Sequence, residues 1–284
     1  TMSPLHLKSS ASKARGFTLI EIMISLAIAA FLLGGLLTIV GYMNRTYQSQ
    51  TSLAALQNHE RVAMTLLGDV IQEAGYFPDP TTYQINTAFP TATYAPTLTD
   101  AAGNSITAVN GSISLSYVPS EAVNGLDGSY TYKATSGTQA DVISARFYTA
   151  GGDGVILCNG STNTGTTPVL YVNTFFIDSN NNLSCALTNV TAGTTVVYPL
   201  VPGVTAMSIT YGVRTILSIN NGAVDSYLTS AQMSGTTNSW LNVVSVSLTL
   251  SFVNPLYGQP GQTLQTLPVT RVIAVMAQNG VIPV

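Results

Sequence analysis

The chain has 284 residues, of which 46% are hydrophobic and only 7% charged. Such a length exceeds most single domains and fits a long helix joined to a β-rich head. Nine basic and twelve acidic residues give a net charge of −3, and no basic patch or charge run occurs, which speaks against a nucleic-acid partner and an electrostatic docking tail.

The first sixteen residues carry Lys8, Lys13 and Arg15 and no acid. They precede an almost wholly apolar run from Phe17 to Val40, long enough to cross a bilayer as a helix. The basic flank predicts a cytoplasmic leader. The one ionisable residue inside the run is Glu21, and an acid there predicts a function and a partner. A secretory signal has a shorter apolar region and is cut after it. Here the best small residue at a boundary is Gly16, ahead of the run. Cutting after Gly16 leaves the helix on the mature protein and exposes an amine on Phe17, about one helical turn from Glu21.

Beyond Val40 the helix is expected to continue, with Gly34-Gly35 as a soft point in its interior. From Tyr42 polar residues return, and Leu53, Leu56, Ala63, Leu67, Val70, Ile71 and Ala74 form a near-helical stripe that predicts packing on a sheet, with Glu60 at its edge. Gly75, Pro78 and Pro80 give a stop. Continuous from Phe17 to Ala74, the helix would be roughly 87 Å long. Residues 76–112, rich in Pro, Thr, Ala and Tyr, read as a long connection with room for a short strand.

From Ile113 the pattern predicts strands at Ile113–Val118, Tyr130–Ala134, Asp141–Thr149, Val155–Cys158, Val169–Ile177, Leu183–Leu187, Thr195–Val201, Thr205–Val213, Val224–Leu228, Leu241–Val253 and Pro268–Met276. The clearest alternates Val244, Val246, Leu248, Leu250 and Phe252 with Ser245, Ser247, Thr249 and Ser251, one face core and one wet. The predicted fold is α+β: a long N-terminal helix, transmembrane in its first half, packed on a mainly antiparallel β head. The divisions are a leader at 1–16, a membrane or filament-core helix at 17–40, an amphipathic second half at 41–75, the connection at 76–112 and the head at 113–284.

Cys158 and Cys185 both fall in the expected exported head, where a disulfide is the natural reading; two buried free thiols are the alternative. A bridge over a loop of this size would contribute roughly 3 to 4 kcal/mol. Neither cysteine has a second cysteine or histidine at ligand spacing, so no metal site is expected. His6 and His59 are the only histidines, and His59 reads as a solvated helix residue rather than a catalytic one. Asp178-Ser179-Asn180-Asn181-Asn182 begins like a calcium loop, but Leu183 stands where the glycine is required and Asn189 where the glutamate is required. A hairpin turn is the better reading, and Gly151-Gly152-Asp153-Gly154 is likewise a turn. No cofactor and no catalytic residue is expected.

Gly16-Phe17-Thr18-Leu19-Ile20-Glu21, with its basic leader and long apolar run, resembles the type III signal of type IV pilins and pseudopilins. The resemblance implies cleavage between Gly16 and Phe17 by a prepilin peptidase, N-methylation of Phe17, and pairing of Glu21 with the N-terminal amine of an adjacent subunit. Further on, Glu73-Ala74-Gly75-Tyr76-Phe77, the paired cysteines, Tyr211-Gly212-Val213, Val224-Asp225-Ser226-Tyr227 and Trp240 leading into Val243–Phe252 look like the PilW-type minor pilins, relatives of the J-type pseudopilins. Where those heads often carry an acidic loop, this chain has Arg214-Thr215-Ile216-Leu217-Ser218-Ile219-Asn220-Asn221, so the calcium site that such a loop suggests is not expected.

The resemblance implies a non-catalytic minor pilin acting in initiation or assembly of the fibre. It would work with other minor pilins and the major pilin, from inner-membrane lipid before assembly, with a periplasmic head and later a place in the surface filament or at its tip. A J-type pseudopilin of type II secretion and a pilus-tip adhesin or binding module are the alternatives. DNA uptake would want clustered cations, and only Lys133, Arg146, Arg214 and Arg271 follow the helix.

Overall fold

A computed structural model describes residues 16–78, 97–100, 113–114, 126–127, 131–132, 141–213, 224–229, 232 and 243–275. The chain divides into two units, Thr1–Ser52 and Leu53–Val284. Helix α1 (Leu19–Gln72) runs through the boundary. It starts two residues later than the pattern predicts and stops two residues earlier, and it is not interrupted at Gly34-Gly35. Lys8, Lys13, Arg15, His6, Lys133, the Arg214–Asn221 loop and Trp240 lie outside the described residues.

In the first unit the described part of α1 is apolar through Val40 and exposed almost throughout, with Phe17 79% and Phe31 83% exposed. Its polar side chains turn back on their own helix. Ser25 Oγ donates to Glu21 O at 2.7 Å and Thr38 Oγ1 to Gly34 O at 2.9 Å. Such i−4 bonds satisfy a hydroxyl without water, as an apolar surrounding requires.

The second unit is built on twelve strands: β1 (Thr97–Asp100), β2 (Ile113–Ser114), β3 (Leu126–Asp127), β4 (Thr131–Tyr132), β5 (Ile143–Thr149), β6 (Val169–Ile177), β7 (Asn182–Asn189), β8 (Thr194–Pro202), β9 (Val204–Val213), β10 (Ser226–Leu228), β11 (Val243–Val253) and β12 (Thr266–Ala274) among the described residues. Four antiparallel strands, β8-β7-β6-β5, form the centre of one sheet, extended by β3 at one edge and by β1, parallel to β8, at the other. A second antiparallel sheet has the order β10-β9-β11-β12, and β2 pairs with β4. The α+β class expected from the pattern is the observed one.

Alternation explains the second sheet. Val246, Leu248, Leu250 and Phe252 on β11 are fully buried, while Ser247, Thr249 and Ser251 are half-buried on the other face. Between β8 and β9 the chain turns through Gly203, whose φ of 79° favours glycine. Asp141 ties the sheets together, its carboxylate accepting Ile209 N–H at 2.8 Å.

The helical stripe behaves as its spacing predicts. Leu56, Ala63, Met64, Leu67, Val70 and Ile71 join one core cluster with Ile143 and Phe147 of β5, Phe175 of β6, Ile209 and Tyr211 of β9 and Phe252 of β11. Leu53 and Glu60 sit half-buried at its margin. Arg271 of β12 crosses onto the helix: its Nη1 donates to Met64 O at 2.9 Å, and its guanidinium lies so close to Gly68 that a Cβ there would stand 3.3 Å from Nη1. After Gln72 the chain turns at Gly75, φ 86°. It then joins β5, through Gly75 N–H to Arg146 O and Tyr148 N–H to Tyr76 O, both at 2.9 Å.

One predicted strand is absent. Val155–Cys158 is a loop, not a strand. Its main-chain groups are used locally: Leu157 N–H bonds to Ser161 O and Gly160 N–H to Leu157 O, each at 2.8 Å, while Cys158 N–H goes to the Asn173 side chain at 2.9 Å. Val155, Leu157 and Cys158 are buried by core packing without ladder bonds, which is why their composition imitates a strand. The predicted Ile113–Val118 and Tyr130–Ala134 are described only at β2 and at Thr131–Tyr132, and of the connection only 76–78 and 97–100 are described.

Candidate functional site

The first turn of α1 is a reciprocal cap. Thr18 Oγ1 accepts Glu21 N–H at 3.4 Å, and Glu21 Oε2 accepts Thr18 N–H at 3.5 Å and the Thr18 hydroxyl at 3.4 Å. Thr18 is thus the N-cap and Glu21 stands at the third helical position, the arrangement of a capping box. A helix start leaves main-chain N–H groups without intrahelical acceptors, and the aligned peptide dipoles favour an anion there. In the single chain, then, the Glu21 carboxylate is held at the helix end, exposed and facing no cation among the described residues. The spacing Thr18-x-x-Glu21 is legible in the sequence as a cap, beside the functional partner that an acid in an apolar run predicts.

Gly16 and Phe17 lie just ahead of this cap, both exposed. Beyond it, large side chains point outward all around α1: Leu19, Ile20, Ile22, Met23, Ile24 and Leu26 in the first turns, and Leu36, Leu37, Ile39 and Val40 further on, each more than half exposed. A helix that is apolar on every side is stable only in lipid or among other apolar helices. At about 1.5 to 3 kcal/mol per fully buried large side chain, covering such a surface is worth tens of kcal/mol. Among the described residues α1 is one helix long and apolar enough to cross a membrane.

In the head, Cys158 and Cys185 are bonded to each other, 6.4 Å apart at Cα, and fully buried. The bond pins the loop after β5 to β7. Asn173 of β6 backs it, accepting Cys158 N–H through Oδ1 at 2.9 Å and donating through Nδ2 to Ala145 O at 3.3 Å. The same loop is held from the helix side: burial pushes the Glu73 carboxyl above its ordinary 4.5, a bond from the Ile156 backbone opposes this, and Asp69 adds to the rise.

The residues considered for chemistry do structural work. Asp178 closes the β6–β7 turn, its carboxylate accepting Asn180 N–H at 2.8 Å, Asn182 N–H at 2.9 Å, and the Asn182 amide and Ser184 hydroxyl at 3.0 Å each. Asp153 likewise accepts Ala150 N–H at 2.6 Å within the glycine turn. His59 is half-buried on α1. Among the described residues, no group of histidine, cysteine and carboxylate side chains is arranged to hold a metal ion.

Two family matches cover different parts of this architecture. Residues 11–37, the end of the basic segment and the apolar half of α1, match the prokaryotic N-terminal methylation motif. Residues 164–267, from just before β6 to the start of β12, match the family described as Type IV Pilus-assembly protein W. No curated protein matches the chain.

Proposed function

We propose that the chain is a type IV pilin-like minor pilin acting in pilus assembly, a reading that its two family matches support, and that its parts serve that role as follows. The leader, residues 1–16, orients the precursor and is removed after Gly16 by the prepilin peptidase. Phe17 then carries the new amine and is methylated. The helix from Phe17 to Val40 holds the protein in the inner membrane, with the β head on the periplasmic side, until the subunit moves into the fibre. There Glu21 pairs with the amine of an adjacent subunit.

The observation that carries this reading is the contrast within the first turns of α1: side chains apolar on every side, with Glu21 as the one acid. An apolar helix leaving lipid gains little from hydrophobic transfer alone, since lipid is as apolar as its new surroundings. A charge pair at its end supplies register and direction. The capping bonds to Thr18, at 3.4 and 3.5 Å, are long for charge-assisted bonds, so the carboxylate exchanges them for a nearby ammonium at small cost.

The role is structural and non-catalytic, in a small complex with other minor pilins that starts the fibre and joins it to the major pilin, at or near its tip. Mass spectrometry of the N-terminal peptide, from sheared filaments and from membranes, tests this. The expected species begins at methylated Phe17 and occurs in trace amounts in filaments. A chain that keeps its leader in membranes and never enters filaments would sink the proposal.

A further inference from the structure

We propose that the outer edge of β12, which pairs with no strand among the described residues, receives an extended segment of another pilus subunit as an added strand. This rests on the minor-pilin reading and adds where the partner binds and by what chemistry.

The bonds flanking β12 fix where its main-chain groups point. Val275 N–H bonds to Val244 O and Asn254 N–H to Gln265 O, both at 2.9 Å, in one register with the pairs Leu248–Arg271 and Leu250–Val269. Odd-numbered residues of β12 therefore bond to β11. Thr266, Pro268, Thr270, Val272 and Ala274 present their main-chain groups to the other side. β12 is the last strand of its sheet, and the side chains of Pro268, Thr270, Val272 and Ala274 are exposed.

On the far side of β11, the outward main-chain groups of β9 are taken, and the edge beyond them is only the three-residue β10. Ile209 N–H is taken by Asp141 at 2.8 Å, Val204 N–H by Asn181 O at 2.8 Å, and Tyr211–Val213 pair with β10. Sheet edges are ordinarily protected by charge, proline or a bulge. On β12 only Pro268 serves, removing one donor near the start of the strand. The single charge, Arg271, is an odd-numbered residue whose guanidinium is held on Met64 O at 2.9 Å. From Thr270 to Ala274, about 14 Å, the edge offers the N–H and C=O of Thr270, Val272 and Ala274, with no charge. An extended main chain matches such a row of alternating donors and acceptors; a helix, whose main-chain groups are bonded internally, does not. Neighbouring subunits in a fibre supply such a segment at high effective concentration.

Val272→Pro in the full chain, expressed in its own cells, tests the edge. The Val272 N–H faces away from β11 and its side chain is 56% exposed, so proline deletes the outward donor and leaves the β11 ladder whole. Val272→Thr keeps the donor. A photo-crosslinking residue at Thr270, with adducts mapped by mass spectrometry, identifies the neighbour. The expected adduct joins Thr270 to an extended segment of another pilus subunit, persists in Val272→Thr and falls at least about tenfold in Val272→Pro, with an unchanged melting temperature. Absence of any adduct in the otherwise unaltered chain overturns the proposal even if Val272→Pro misfolds. So does an adduct to a helix, to lipid or to a second copy of this chain, or one undiminished by proline. Methylated Phe17 in the same samples reports on the pilin reading separately. A processed chain without the strand adduct refutes the edge proposal alone, while an unprocessed chain refutes the reading beneath it.

Discussion

One helix carries two surfaces. Up to Ser52, α1 hides almost none of its side chains, although its sequence through Val40 is apolar on every side. From Leu53 to Gln72 it buries one stripe and leaves Asn58, Arg61, Thr65 and Asp69 in water. The backbone is the same, so the difference is in what each half is solvated by. The second half finds its apolar partner within its own chain. Among the described residues of its own unit the first half has none, and a helix apolar on every side takes its partner from lipid or from other apolar helices.

This contrast can be broken most strongly in the stripe. Leu67→Ala should cost the head about 2 to 5 kcal/mol, because Leu67 is fully buried and the space it leaves refills poorly. Leu33→Ala should leave the thermal unfolding of the head unchanged; equal shifts in the two variants would show that the halves are not distinct. Next in size, Cys158→Ser with Cys185→Ser should cost roughly 3 to 4 kcal/mol in the chain-entropy account, read by denaturant melts, and reductant should not reproduce the loss under native conditions because both sulfurs are buried. Third, Leu33→Asp should lower the fraction of protein inserted in membranes through a penalty of about 2.5 to 3.5 kcal/mol, assayed by carbonate extraction, again with the head melting normally.

The smallest effect concerns pH. Glu73 titrates above its ordinary value of 4.5 in the folded head, first because of burial. A raised carboxyl favours its protonated form, so folding is helped below that ordinary value and the help is lost as pH rises through the higher folded value. Glu73→Gln keeps an acceptor for Ile156 and should flatten the stability profile above pH 4.5. A profile that keeps its slope would mean that another group governs it.

Much of this was legible in the residues. Strand-forming runs between turn residues located β6 to its ends and β7, β8, β9 and β11 to within two residues at each end; β8, β9 and β11 alternate because one face is on the core, while β7 and the end of β6 are buried on both faces. The stripe from Leu56 to Ile71 was legible at helical period because α1 lays one face on the core. The Val155–Cys158 loop was not, because burial through a disulfide and an Asn173 side chain imposes an apolar composition without a ladder. Nor was the parallel pairing of Thr97–Asp100 with Thr194–Val197, since pairing across so much chain leaves no local pattern. At Glu21 two signals overlap, an acid costly in lipid and a capping partner for Thr18 three residues earlier, and composition alone does not separate them.

The clasp of Arg271 on Met64 sets an order of events. It joins residues 207 positions apart, and the strand that carries it is the last described one. As the chain is made, the Met64 carbonyl and the Gly68 surface of the helix wait for Arg271 until β12 has been added. Closure is then a late step of long loop length, slow by its topology. A head stalled short of β12 would lack this clasp at Met64 and Gly68, a patch of α1 that proteases and chaperones then reach in unfinished chains and not in finished ones.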